Sequence, residues 1–338
     1  MSLERAPAPR PSAPAPAARR AATLVVAALA LAALAGCAST SPRPGLRLGP
    51  RPTKPYVDCR GAPGAGPTVV LEAGSFGTSA DWSPVMRDLA KTGRVCAYDR
   101  LGLAASPNRT DEPTPENIAK GMDGVLDQIG ETKPVILVGH SNGAFYVETY
   151  AAMHPDRVAG LAYIDGVGVD DVDHPLLLGK LQDEETEARI AAVGGALGLV
   201  RFVASPLIDA MGLTGTAAAR KWRALNSRRH LNHSRDEVFE IVPGLRRIRQ
   251  QGASVPASIP VVAVVASPNP ENASEQTWRQ AEFAPAQRSC QGWAMEAPRA
   301  THLSILGRDR AYVISAVKWL QTPGLRQATV CTDKSFKG

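Results

Sequence analysis

The chain is poor in the features that mark several common protein classes. Its five cysteines form no C-x-x-C pair, and no histidine spacing completes a tetrahedral ligand set, so a structural zinc centre is excluded. No apolar run reaches the ~20 residues that a membrane-spanning helix needs; the best candidate, residues 21–36, stops short. A basic excess of the kind that binds nucleic acid is also missing. Four arginines (Arg5, Arg10, Arg19 and Arg20) against Glu4 contribute +3 of the +6 net charge ahead of residue 37. No internal repeat is visible, which removes solenoids and propellers.

What is present begins with a leader. Residues 1–20 are rich in Pro, Ala and Arg and cannot bury enough apolar surface to fold. Residues 21–36 read as the apolar segment of a signal peptide, with arginines just ahead of it. The segment ends in Leu34-Ala35-Gly36-Cys37, which resembles the bacterial lipobox. That resemblance implies a signal peptide over 1–36 and a lipidated Cys37. A Ser/Pro/Gly/Arg-rich tether over 37–54 would follow, with the membrane as a partner through this anchor and the cell envelope, outside the cytoplasm, as location. An ordinary signal peptide ending near a cysteine is the competing reading. Export places Cys59, Cys96, Cys290 and Cys331 in an oxidising compartment. Of the three pairings four cysteines allow, one bridge in each half of the chain is expected: Cys59–Cys96 and Cys290–Cys331.

Beyond the tether, short apolar runs alternate with helical patterns. Strands are expected at 56–59, 68–72, 94–98, 135–138, 159–164, 260–266 and 292–296. Helices are expected at 81–92, 116–130, 144–154 and 308–320. Strands separated by helices give an α/β architecture, a mostly parallel central sheet with helices on both faces. Such strands are buried on both sides, which accounts for their continuous Val/Ile/Leu/Ala content. Between 166 and 252 no strand signal occurs, and that length is too great for a loop. Helical patterns at 186–203, 217–231 and 236–251 mark an inserted cap. The domain plan is a core at 55–165, a cap at 166–255 and a second core part at 256–338. The cap is acidic at its start and basic later, the basic part being either a solvated face or one turned to anionic lipid.

The centre of the pattern is Gly139-His140-Ser141-Asn142-Gly143, placed between the 135–138 strand and the following helix. Glycines on both sides let strand and helix backbones approach while Ser141 sits exposed in a tight turn. A chance G-x-S-x-G in a chain of this length has odds on the order of one in ten, so the flanking strand and helix carry the inference. A serine hydroxyl needs a base. Of six histidines, His302 alone falls after the last strand and before the last helix. His140 adjoins Ser141 on a turn that points the two apart and reads as structural. His154 ends a helix, and His174, His230 and His233 lie in the cap. The His230/His233 spacing has no third ligand, so no metal is expected.

Together, Leu71-Glu72-Ala73-Gly74-Ser75, Tyr98-Asp99-Arg100-Leu101-Gly102, Gly139 to Gly143, His154-Pro155-Asp156-Arg157-Val158 and Thr301-His302-Leu303 resemble the α/β-hydrolase superfamily. The resemblance covers residues 56–320 apart from the cap. It implies an α/β-hydrolase fold with a helical cap inserted after the sixth strand. It further implies Ser141 as nucleophile, His302 as base and an oxyanion hole from the backbone N–H groups of Asn142 and Ser75. Two departures, Ala73 for a common His and Ala104 for a common Gly, remove no backbone N–H. The triad acid stays open. The loop 267–272 carries Asn269 where relatives often have Asp, leaving Glu271 there and Asp165, one strand earlier, as candidates. A serine nucleophile argues against haloalkane dehalogenases and epoxide hydrolases, which use aspartate. The implied activity is cleavage of a small-molecule carboxylic ester through an acyl-enzyme, with no cofactor. Amide or peptide hydrolysis, acyl transfer, or an inactive binding module are the alternatives.

Overall fold

Apolar side chains alternate along the strands so that one sheet acquires two buried faces. On β2 (Val69–Glu72), Val69 and Leu71 pack into one cluster and Val70 into the other. On β4 (Val135–His140), Ile136 and Val138 join the first and Val135 and Leu137 the second. The period of two sends neighbouring residues to opposite faces. The other strands are β1 (Tyr56–Arg60), β3 (Val95–Asp99), β5 (Val158–Ile164), β6 (Val261–Ser267) and β7 (Gly292–Pro298). Their order is β1-β3-β2-β4-β5-β6-β7, all parallel except the antiparallel edge strand β1. The computed structural model describes residues 54–325 except 65, 172 and 270–272. The leader, Cys37, Glu271 and Cys331 therefore lie outside the described residues.

Helices α1 (Ser83–Leu89) and α9 (Ala311–Gln321) cover the first face. The second face is covered by α2 (Pro115–Gln128), α3 (Gly143–Met153) and α8 (Ala273–Arg288). Helix α8 went unread in the sequence. Its Pro285 and its lack of an apolar stripe hid it, although a parallel β6–β7 pair requires a crossover of this kind. Cys59 and Cys96 face each other across β1 and β3 and form a disulfide. Cys290 is also disulfide-bonded.

The cap consists of α4 (Pro175–Ala196), α5 (Arg201–Ala210), α6 (Gly215–Leu225) and α7 (Arg228–Gln250). It follows the fifth strand in chain order, not the sixth. A single strand precedes β2 among the described residues, and it pairs directly with β3. Two breaks also correct the sequence reading. Gly198 (φ 71°) ends the helix expected to run through 186–203. Ser227 caps α7 by accepting from His230 N, which divides the helix expected over 217–231. The basic later part of the cap is largely engaged with other groups. Arg220 reaches Ser79 and Asp99, Lys221 reaches Asp81, and Arg246 and Arg249 reach Asp173.

Candidate active site

The strand order reverses between β3 and β4, on either side of β2, and the carboxyl ends of these strands open there. Open parallel sheets place ligands at such a point. Ser141 stands at the end of β4 with φ 54°, its N–H donating to Ile164 O at 3.0 Å. This left-handed conformation is unusual for a side-chain-bearing residue and turns the serine out of the strand. Three glycines make the turn sterically feasible. A Cβ on Gly139 would lie 2.5 Å from Gly143 O, and one on Gly143 would lie 2.6 Å from Glu72 O. A Cβ on Gly74 would lie 2.8 Å from Ser141 Cβ.

His302 Nδ1 donates to Asp165 Oδ2 at 2.6 Å. Asp165 also has a left-handed backbone (φ 49°), and its Oδ1 accepts from Ala266 N at 2.7 Å. Strands β5 and β6 are adjacent, so the end of one fixes the carboxylate from the other. Burial works against ionisation of Asp165, but the hydrogen bond and charge of His302 outweigh it and hold the carboxyl below its usual range. Burial likewise opposes a charged His302. The hydrogen bond and charge of Asp165 prevail and raise the ring above its ordinary value. With Nδ1–H donated to Asp165, Nε2 is the nitrogen that carries no proton in the neutral ring.

His140 has a part that the sequence did not reveal. Its ring lies 4.6 Å from that of His302, and its Nε2 donates to His302 O at 3.1 Å. Burial and the neighbouring His302 charge push its pKa down to about 3, so it is neutral and holds the His302 loop.

The turn after β2 carries Ser75 and is held from several sides. Arg100 donates to Ala73 O and Gly74 O, while Lys221 Nζ and His230 Nε2 both donate to Phe76 O. His230 Nδ1 accepts from Ala104 N, so both ring nitrogens are used, and burial lowers its pKa to about 3. It is a cap-to-core clamp. Asn142 Nδ2 donates to Ser75 Oγ at 2.7 Å and to both Glu184 oxygens at 2.8 Å. Glu184 lies on α4, so the cap touches the residue after Ser141 directly.

Ser141, His302, Asp165, Asn142 and Ser75 all line one cavity of ≈ 1010 Å³ between core and cap. The cap contributes Leu181, Val203 and Leu207 to its apolar wall. Glu282, from α8, is a further buried carboxyl on this wall, and its Oε2 has no hydrogen-bond partner. Burial and the nearby Asp165 charge raise its pKa well above the usual range, which keeps it neutral. No residue pattern in the sequence singled out Glu184 or Glu282, because both reach the site from helices distant in the chain. Among the described residues, no group of three His, Cys, Asp or Glu side chains could hold a metal ion.

A family model described as "alpha/beta hydrolase fold" matches residues 67–191. An AB hydrolase superfamily protein of Gibberella zeae is 29% identical over 122 residues, covering 34% of this chain and 38% of that protein. The matched region thus spans well under half the length of that relative. Among solved structures, the enol-lactonase from Burkholderia xenovorans gives a TM-score of 0.57 at 18% identity, covering 79% of this chain and 96% of its own. The Cif epoxide hydrolase from Acinetobacter nosocomialis gives 0.59 at 16% identity, covering 80% and 90%. The chain has the α/β-hydrolase fold, with a seven-stranded, mostly parallel sheet.

Proposed function

We propose that this protein hydrolyses carboxylic esters by way of an acyl-enzyme on Ser141. The observation that carries the reading is the 2.6 Å Asp165–His302 hydrogen bond on the wall of the cavity that Ser141 enters. In this scheme His302 Nε2 takes the Ser141 proton as Oγ attacks the ester carbonyl. The N–H groups of Asn142 and Ser75 hold the oxyanion. The alkoxide leaves with the proton from His302, and water then repeats the sequence to release the acid and free Ser141. Asp165 keeps Nδ1 protonated and stabilises the imidazolium between the two transfers. A serine at the turn distinguishes this scheme from alkyl-enzyme chemistry, which starts from a carboxylate nucleophile. The mostly apolar cavity suits an acyl chain better than a peptide, whose amides would be left without partners.

A fluorophosphonate probe tests this directly. Intact protein is expected to carry one adduct, located on Ser141 by mass spectrometry and absent from Ser141→Ala. Failure of well-folded protein to label would favour a binding module instead.

A further inference from the structure

The same cavity opens beside an apolar patch that the fold leaves uncovered. Nine large apolar side chains are exposed among the described residues, and six of them fall between residues 190 and 203. Ile190, Val193 and Leu197 follow one face of the last turns of α4, and Leu199, Phe202 and Val203 continue across the Gly198 break into α5. Phe202 is 69% exposed, Ile190 66% and Val203 65%. Scattered apolar residues on a surface are ordinary, but a cluster of this size on one tip marks an interaction site. Three of its members, Ile190, Leu199 and Val203, also line the cavity, so the patch is continuous with the cavity wall.

Charge identifies the occupant. From Ala188 to Ile208 the chain carries Arg189 and Arg201 and no acidic residue, with Glu187 and Asp209 bounding the stretch. Arg189 is paired with Glu185 and lies over the Phe239 ring, which leaves Arg201 as the cation of the tip. Arg201 lies over the Phe202 ring at 4.9 Å, and Arg228 donates to Ala196 O at the end of α4, adding a second cation beside the tip. Exposed apolar side chains with Arg201 and Arg228 beside them fit an anionic bilayer, where the chains enter the acyl boundary and the guanidinium groups meet phosphate. Among the described residues no helix is long and apolar enough to cross a membrane.

We propose that the cap tip formed by Ile190, Val193, Leu197, Leu199, Phe202 and Val203 docks on an anionic lipid surface and opens the cavity toward it, so that the ester cleaved at Ser141 is lipid-borne. The substrate half of this statement rests on the ester-hydrolase reading above; the docking half does not.

The test therefore reads docking without turnover. In full-length protein carrying Ser141→Ala, an environment-sensitive nitrobenzoxadiazole dye is attached at Leu197→Cys, and in a separate sample at Lys318→Cys on the exposed side of α9. Phosphatidylcholine–phosphatidylglycerol vesicles with doxyl-labelled lipid are then added. The dye at 197 is expected to shift to the blue and be quenched, and the dye at 318 to do neither. Val193→Glu together with Phe202→Glu should abolish both changes at 197. No change at 197 on adding vesicles, or equal changes at both positions, would overturn the proposal. So would a blue shift at 197 that grows with protein concentration before lipid is added, which would assign the patch to a second copy of the chain. With Ser141 restored, the same double variant should lose turnover of a long-chain ester embedded in vesicles while keeping turnover of a short soluble one. Equal turnover of the embedded ester would overturn the lipid-borne substrate. Absence of turnover on both esters in the unmodified protein would sink the hydrolase reading and leave the dye result standing.

Discussion

At the scale of single residues, the Asp165–His302 contact makes a prediction about pH. Asp165 stabilises the charged ring, so the base becomes available only as pH rises through a value above the ordinary 6.5. The rising limb of kcat/KM is expected to lie there. Asp165→Asn removes the carboxylate that favours the imidazolium, so the limb should move to lower pH. It also loosens the tautomer, so kcat should fall by about three to four orders of magnitude in the same experiment. A large loss of rate with an unmoved limb would show that Asp165 acts only on the fold. Asp165, one of the two carboxylates that the sequence leaves open, is bonded to His302; the other, Glu271, lies outside the described residues. The motifs made Ser141 and Asp165 candidates because each follows directly on a strand, and His302 because it falls between the last strand and the last helix. They gave no sign of Glu184 on Asn142 or of His140 on the His302 carbonyl, since both contacts join distant parts of the chain.

At the scale of elements, Glu148 ties α3 to the point where the chain leaves the sheet for the cap. Its Oε2 accepts from Val169 N at 2.8 Å. Burial pushes its pKa from 4.5 up to about 7, with the Arg288 charge opposing. The fold therefore favours the protonated form. That preference stabilises the protein fully below pH 4.5 and fades as pH rises through about 7, a change of roughly 3 kcal/mol. Glu148→Gln keeps an acceptor for Val169 and cannot ionise. Measured against this variant at matched pH, the Tm advantage of the unmodified protein should decline between pH 5 and pH 8. A constant difference would contradict the assignment. The strands and core helices were legible because periods of two and of about 3.6 survive in the sequence. Helix α8 carries no such stripe, and the α4–α5 break depends on one residue, Gly198.

At the scale of the whole molecule, core and cap are joined by a buried charge network that also shapes the site. Arg100, just after β3, meets Glu72 from β2 and Glu237 from cap helix α7, and all three side chains are 2% exposed or less. Tyr98 donates to the second Glu72 oxygen. Burial raises the Glu72 carboxyl above its usual range even with Arg100 beside it. The network is weak evidence for stability as built, since desolvation offsets most of the attraction, but losing one member is another matter. Arg100→Met keeps the apolar stem and leaves two buried carboxylates without their cation. The expected loss is about 3–5 kcal/mol in urea unfolding at pH 7.5. The loss should shrink at pH 5.5, because Glu72 takes up a proton more readily once the guanidinium is gone. Arg100 also holds the Ala73 and Gly74 carbonyls, so the surviving folded variant should label more slowly with fluorophosphonate. A variant that loses stability but labels at the normal rate would mean that the turn bearing Ser75 is fixed by Lys221 and His230 alone, and that the network serves only to hold the cap.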